Sequence, residues 1–288
     1  MPVLDDIDTL QQRVQQLLED VPLQQSDLED AAVQAVLRLL DERDLQSLSP
    51  ARLDEAIRDA LRPAATQLTS STQTLVTQRV QTLVSETRDF YTAVGVTVPD
   101  RLTDAVRKRE SAQRVTEALQ SGLQIASQTL KEETVEAVEE EIASPGSPSR
   151  EAIEDRLIDS VDDATNVAET HARTSITAYD QEYRDELATQ SGLTHFLYYG
   201  NLQSNSRRFC IAHVDGVYTN QQINEMQNGQ LEPVRTFCGG YNCRHQWVPV
   251  DPSWDDDLSG MQVSPDTDAV SFGLGDRTAT IIPTDPIS

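Results

Sequence analysis

All three cysteines of the chain, Cys210, Cys238 and Cys243, and two of its four histidines, His213 and His245, fall within thirty-six residues. The pattern is C-x2-H, then C-x4-C-x-H. A gap of two residues returns the chain to the same side, so Cys210 and His213 can face one ion. Thiolate with imidazole is the donor set that selects zinc. Zinc takes four ligands and the segment offers five. Four of Cys210, His213, Cys238, Cys243 and His245 are therefore expected to hold a structural Zn2+ that staples a small, thinly cored unit. The plainer alternative makes the cysteines small buried hydrophobes. In "CGGYNC", Gly239 and Gly240 admit positive φ and a tight loop, expected to bring Cys238 and Cys243 together.

Catalytic readings use the same residues. "HVD" followed by two cysteines suggests a zinc deaminase, but that chemistry needs H-x-E and P-C-x-x-C. Here the acid is Asp215, the cysteine gap is four, and Phe237 precedes Cys238. Cys243 and His245 would share one face of a strand as nucleophile and base, with no third orienting group legible. A zinc- or thiol-dependent hydrolase acting on nucleic acid would need a base from His195 or Asp215. A strand histidine and a turn aspartate are the simpler account of both. No catalytic residue is assigned, and the chain is not expected to be an enzyme.

These residues must be positioned by an α+β arrangement: a mostly helical N-terminal part with long helices, then a small C-terminal module. Residues 1–143 read as helices with thin apolar stripes, suited to binding partners. Leu10, Val14, Leu17 and Leu18 fall at helical spacing, as do Leu28, Ala32, Ala35, Val36 and Leu39. Pro22 marks a break and Ser26 a capping restart, repeated by Ser49 with Pro50 at the first helical position. Pro63 is expected to open or kink another helix, and a polar helix follows to Phe90. A further helix is expected from about Pro99 to Ser121 and another to Ile142. "ASPGSPSR" marks a linker over 144–150. The module, 151–250, begins with one long helix to Gln190, its seam formed by Ile153, Leu157, Val161, Ala164, Ala168, Ala172 and Ile176. "LTHFLYYG", "GVYT" and "RHQWVPV" read as strands and "NQQINEMQNG" as a short helix. From 251 to 288 eight carboxylates face Arg277 alone. This is an acidic tail, expected to be disordered unless a partner orders it.

The formal net charge is −25, and only two of the basic residues are lysines, Lys108 and Lys131. An acid-rich, lysine-poor chain suits concentrated salt, where a Debye length of about 3 Å at 1 M screens its self-repulsion. It is a poor non-specific DNA ligand. Arg107, Lys108, Arg109 and Arg114 form its one local basic cluster, read as a solvated helix face. No apolar run is long enough for a transmembrane helix, and "MPVLDDIDTL" lacks the basic start of a signal peptide.

Within residues 165–251, "SRRFCIAHVDGVYTNQQINEMQNGQ" and "CGGYNCRHQWVPV" resemble the C-terminal module of the phage Mu F-like head-morphogenesis family of minor capsid proteins. Ala172, Arg173 and Thr174 match that family's alanine-arginine-threonine segment, and "FLYYG" its aromatic strand. Arg208, Phe209 and Cys210 match its arginine-aromatic-cysteine entry. Asp215 and Gly216 match its turn, and Cys243, Arg244 and His245 its closing segment. Ser175 stands where the family often has an acid, "NLQSNSRRFC" where it often has tryptophan and an Asp-x-Arg-Thr run, and His213 where many members have a second cysteine. The resemblance implies a minor virion protein of a tailed virus, and the acid-rich, lysine-poor composition adds the expectation of a halophilic host. Such a protein associates with the portal protein inside the head, and with major capsid or scaffolding protein as further partners. It enters the procapsid in the host cytoplasm and acts in head assembly and genome packaging or release. Direct DNA contact is left open.

Overall fold

The computed structural model describes residues 3–19, 25–42, 48–143, 149–261 and 263. Helices form where the apolar stripe recurs every three to four residues: α1 (Val3–Glu19), α2 (Gln25–Glu42), α3 (Pro50–Ala93), α4 (Leu102–Arg107), α5 (Glu110–Ala143) and α6 (Arg150–Ser191). Pro50 opens α3 as expected, but Pro63 opens nothing and lies inside that helix. The break expected at Ser121 is absent. α5 runs straight through Gly122, and the short interruption comes earlier, at 108–109. Gly122 serves contact rather than termination, because a Cβ there would lie 2.1 Å from Cγ of His171 on α6. Ser149 caps α6 by accepting the N–H of Ala152 (3.2 Å). All seven seam residues of α6, from Ile153 to Ile176, are buried. Residues 144–148 of the linker lie outside the described residues.

The chain divides into two compact units that cut across these sequence segments. One comprises residues 19–78 and 116–175. Its core is built from α2 and from the α3, α5 and α6 portions that fall in those ranges, through residues such as Ile57, Leu68, Leu123, Leu130 and Leu157.

The other comprises residues 1–18, 79–115 and 176–288, so the first helix belongs with the C-terminal module. Here the helical period gives way to β1 (His195–Tyr199), α7 (Arg208–His213), β2 (Val217–Thr219), α8 (Asn220–Glu225), α9 (Val234–Phe237) and β3 (Gln246–Val250). The strands form an antiparallel sheet in the order β2-β1-β3, with Tyr198 opposite Trp247 and Phe196 opposite Tyr218 and Pro249. Every residue of β3 is buried. β3 is tied to two helices: Tyr91 on α3 donates its hydroxyl to Pro249 O (2.9 Å), and the Trp247 N–H donates to Gln181 Oε1 on α6 (2.9 Å). Thr219 starts α8 through a capping box with Gln222.

The acidic stretch begins as structure. Asp251 accepts the N–H of Ser253 and starts a 3₁₀ turn, Pro252–Trp254; Asp255 accepts the N–H of Asp257 and starts α10, Asp256–Gly260. Leu258 is buried. The backbone of Met261 and Val263 then bonds Val217 on β2 (2.9 and 3.1 Å), pairing part of a sheet edge that would otherwise be open. The remainder of the expected tail, Gln262 and 264–288, lies outside the described residues. Among the described residues no helix is long and apolar enough to cross a membrane.

Of the basic cluster, Arg107, Lys108 and Arg114 are exposed, as a solvated helix face would be, and Arg109 alone is drawn inward. Arg109, partly buried, pairs with Glu182, Asp185 and Glu186 on α6, and Arg235 on α9 pairs with Asp185 while lying 3.9 Å over the Phe196 ring. These carboxylates raise the guanidinium pKa of Arg109 against the lowering effect of burial. They also hold α9 and the turn before α5 onto α6. Arg109 is thereby paired and withdrawn from any phosphate-binding surface, while Arg107 and Lys108 stay exposed.

Candidate metal centre

Three of the five expected donors come together. Cys210 lies in α7, Cys243 in the turn after α9, and His245 directly before β3. Their donor atoms lie within 4.8 Å of one another and all three side chains are buried, so the group can hold a metal ion. The two sulfurs are 3.7 Å apart and His245 Nδ1 is 3.9 Å from Cys243 Sγ. Two thiolates bound tetrahedrally at about 2.3 Å from one zinc stand about 3.8 Å apart. The spacing fits that ion. Without a metal, Cys210 keeps its proton, its pKa raised by the hydrogen bond to Cys243 and by burial. The same bond, aided by His245, lowers that of Cys243.

His213 and Cys238 stand apart from this group. One helical turn does separate Cys210 from His213, but His213 Nδ1 bonds the Phe209 carbonyl (2.7 Å) and its ring stacks on Phe209 at 4.3 Å. Burial lowers its pKa, keeping the ring neutral and suited to packing. Cys238 caps α9 at φ +49° and is wholly buried. Burial raises its pKa, followed by the neighbouring Cys243, against a hydrogen bond with the Trp247 backbone. The CGGYNC loop does turn back on itself, with Gly240 at φ +98°. It brings Cys243 to Cys210, while Cys238 stays a neighbour of Cys243 in the same core without joining the donor group.

Sequence reasoning missed what four residues contribute. The Gly239 N–H donates to Cys243 Sγ (3.2 Å). The hydroxyl of Tyr198 on β1 lies 3.5 Å from Cys210 Sγ and 3.6 Å from Cys243 Sγ, and its ring stacks on His245 at 5.4 Å. Gln11 and Gln15 of α1 both donate to the Arg244 carbonyl (3.0 and 2.9 Å), fixing the backbone between two donors. Tyrosine in an aromatic strand reads as core, and no local signal links residue 11 to residue 244. A polar cavity of about 180 Å³, lined in part by Asn201, Gln203, Asn205 and Asn242, reaches Cys210, Cys243 and His245. Neither proposed general base joins the group. His195 heads β1 with its ring against the Thr194 hydroxyl (3.1 Å), and Asp215 forms a turn at φ +63°.

This geometry separates the histidines. The His245→Ala protein is expected to lose at least about tenfold in zinc affinity, whereas His213→Ala stays within about twofold. Competition with a chromophoric chelator measures both. Equal losses would show that the donor assignment is wrong.

Compared with protein-family models, with characterised proteins and with solved structures, the chain matches none.

Proposed function

We propose that this chain is a minor head-morphogenesis protein of a tailed virus infecting a salt-loving host, and that its C-terminal module is stapled by one structural zinc ion. The observation that carries the first part is the run of motifs from "HARTSITAYD" through "FLYYG", "RRFC" and "DGVYT" to "CRH". The zinc part draws on the buried Cys210–Cys243–His245 group. The protein acts inside the head beside the portal, in assembly and in genome packaging or release. Its long helices offer surface to the portal and to capsid or scaffolding protein. The charge of −25 suits assembly in molar salt, where hydrophobic and shape contacts persist and simple ion pairs are screened.

The test is association with the portal. Purified chain and portal protein, mixed at molar salt, are expected to co-sediment, and procapsids formed without the chain should package or release genomes poorly. Absence of the chain from both procapsids and virions would sink the reading.

A further inference from the structure

We propose that the phenol oxygen of Tyr198 is the fourth donor of the metal centre and that Gly239 keeps the ion's place clear. The inference rests on the zinc reading above and adds to it two residues that no cysteine–histidine pattern contains.

Zinc with two thiolates and one imidazole lacks one ligand of a tetrahedron. Among the described residues no further cysteine, histidine or carboxylate joins the group. The Tyr198 oxygen is 3.5 and 3.6 Å from the two sulfurs, which are themselves 3.7 Å apart. In a zinc tetrahedron with Zn–S about 2.3 Å and Zn–O about 2.1 Å, an oxygen vertex lies about 3.6 Å from each sulfur vertex. Both spacings are met at once. β1 holds the phenol there, because Tyr198 is wholly buried and its ring packs against those of His245 and Trp247 (5.4 and 4.4 Å).

Gly239 faces the same three atoms. A Cβ at that position would lie 2.5 Å from Cys210 Sγ, 3.0 Å from Cys243 Sγ and 3.4 Å from Tyr198 Oη. The glycine leaves open the space that the three donors border, and its N–H still reaches Cys243 Sγ. Charge also balances. Two thiolates cancel a divalent ion, so a neutral imidazole and a neutral phenol complete the shell without leaving net charge in the core. The competing fourth ligand is a solute entering through the polar cavity beside Cys243.

Cobalt(II) tests the assignment as a spectroscopic stand-in for zinc. It is titrated into the full chain, reduced and metal-free, at molar salt. The wild type should take up one equivalent, with thiolate charge-transfer absorption and the visible bands of a tetrahedral ion. Tyr198→Phe, checked for folding by circular dichroism, should keep the thiolate absorption, shift the visible bands and bind at least about tenfold more weakly. Gly239→Ala retains every donor and should lose binding by at least the same factor. Unchanged visible bands in Tyr198→Phe, with or without weaker binding, would overturn the phenol as a ligand. A wild-type spectrum that shifts with added thiocyanate would give the fourth place to a solute. Wild-type affinity in Gly239→Ala would overturn the role of the glycine. No uptake by the wild type would overturn the zinc reading itself.

Discussion

With the proposed zinc in place, a strong chelator is expected to lower the unfolding midpoint of the unit that carries the sheet by roughly 8–16 °C. A ligand that binds only the folded state stabilises it by RT ln(1 + [L]/Kd), about 4 kcal/mol at a thousandfold excess over Kd. For a unit of this size each kcal/mol moves the midpoint by roughly 2–4 °C. The effect should be large because the donors come from two stretches more than thirty residues apart in sequence. Cys210 belongs to α7, Cys243 to the loop after α9, and His245 to the approach to β3. One ion would therefore fix α7 and the closing strand together, around a sheet of three short strands. Scanning calorimetry with and without chelator measures the shift. Cys243→Ala should unfold at the lower temperature from the outset and show no response to chelator. The unit formed by residues 19–78 and 116–175 carries none of these donors, so a transition assigned to it should stay in place. Identical scans with and without chelator would leave the cysteines as packing residues.

The long helices were legible because a helix betrays itself every three to four residues. Ile153 to Ile176 reads as a seam and is buried as one. The α+β class followed from the change of period after Gly192, and the three strands lie where the aromatic and β-branched runs place them. Helix breaks were less legible. Gly122 and Pro63 carry the same punctuation signal that ends helices elsewhere, but tertiary contact overrode it at Gly122, where His171 fills the space a side chain would need. In the candidate site the residue types were visible and the selection among them was not. C-x2-H puts Cys210 and His213 on one helical turn, yet Phe209 claims the imidazole. What decides membership is the fold of the loop from Cys238 to His245, and Gln11 and Gln15 hold that loop from more than two hundred residues away. Such pairings leave no local trace.

Arg184→Leu is expected to cost about 3–5 kcal/mol, the usual penalty for leaving one member of a buried ion pair alone. Arg184 and Asp180 are both fully buried on successive turns of α6, with Nε 2.8 Å from Oδ2. Thr87 on α3 donates to the other carboxylate oxygen (3.0 Å), and the buried Tyr91 lies in the field of both charges. Burial raises the Asp180 carboxyl above its ordinary 3.8, against the lowering effects of Arg184 and Thr87. The sign follows. A carboxyl whose folded pKa exceeds its unfolded one binds more protons in the folded state, so stability falls as pH rises from the unfolded value through the folded one. Removing Arg184 deletes the largest lowering influence and carries that window to higher pH. The loss in Arg184→Leu should therefore be smaller near pH 4 than near pH 7, as urea unfolding at the two values would show. Asp180→Leu combined with Arg184→Leu should recover most of the stability, since a buried pair replaced by apolar side chains is often neutral or better. Because the pair is buried, molar salt should not erase the penalty, unlike that for the exposed pair Arg62–Asp59. A single variant that costs under about 1 kcal/mol, or a double variant no better than the single, would mean that α6 is held by its apolar seam alone and that the ion pair is incidental to it.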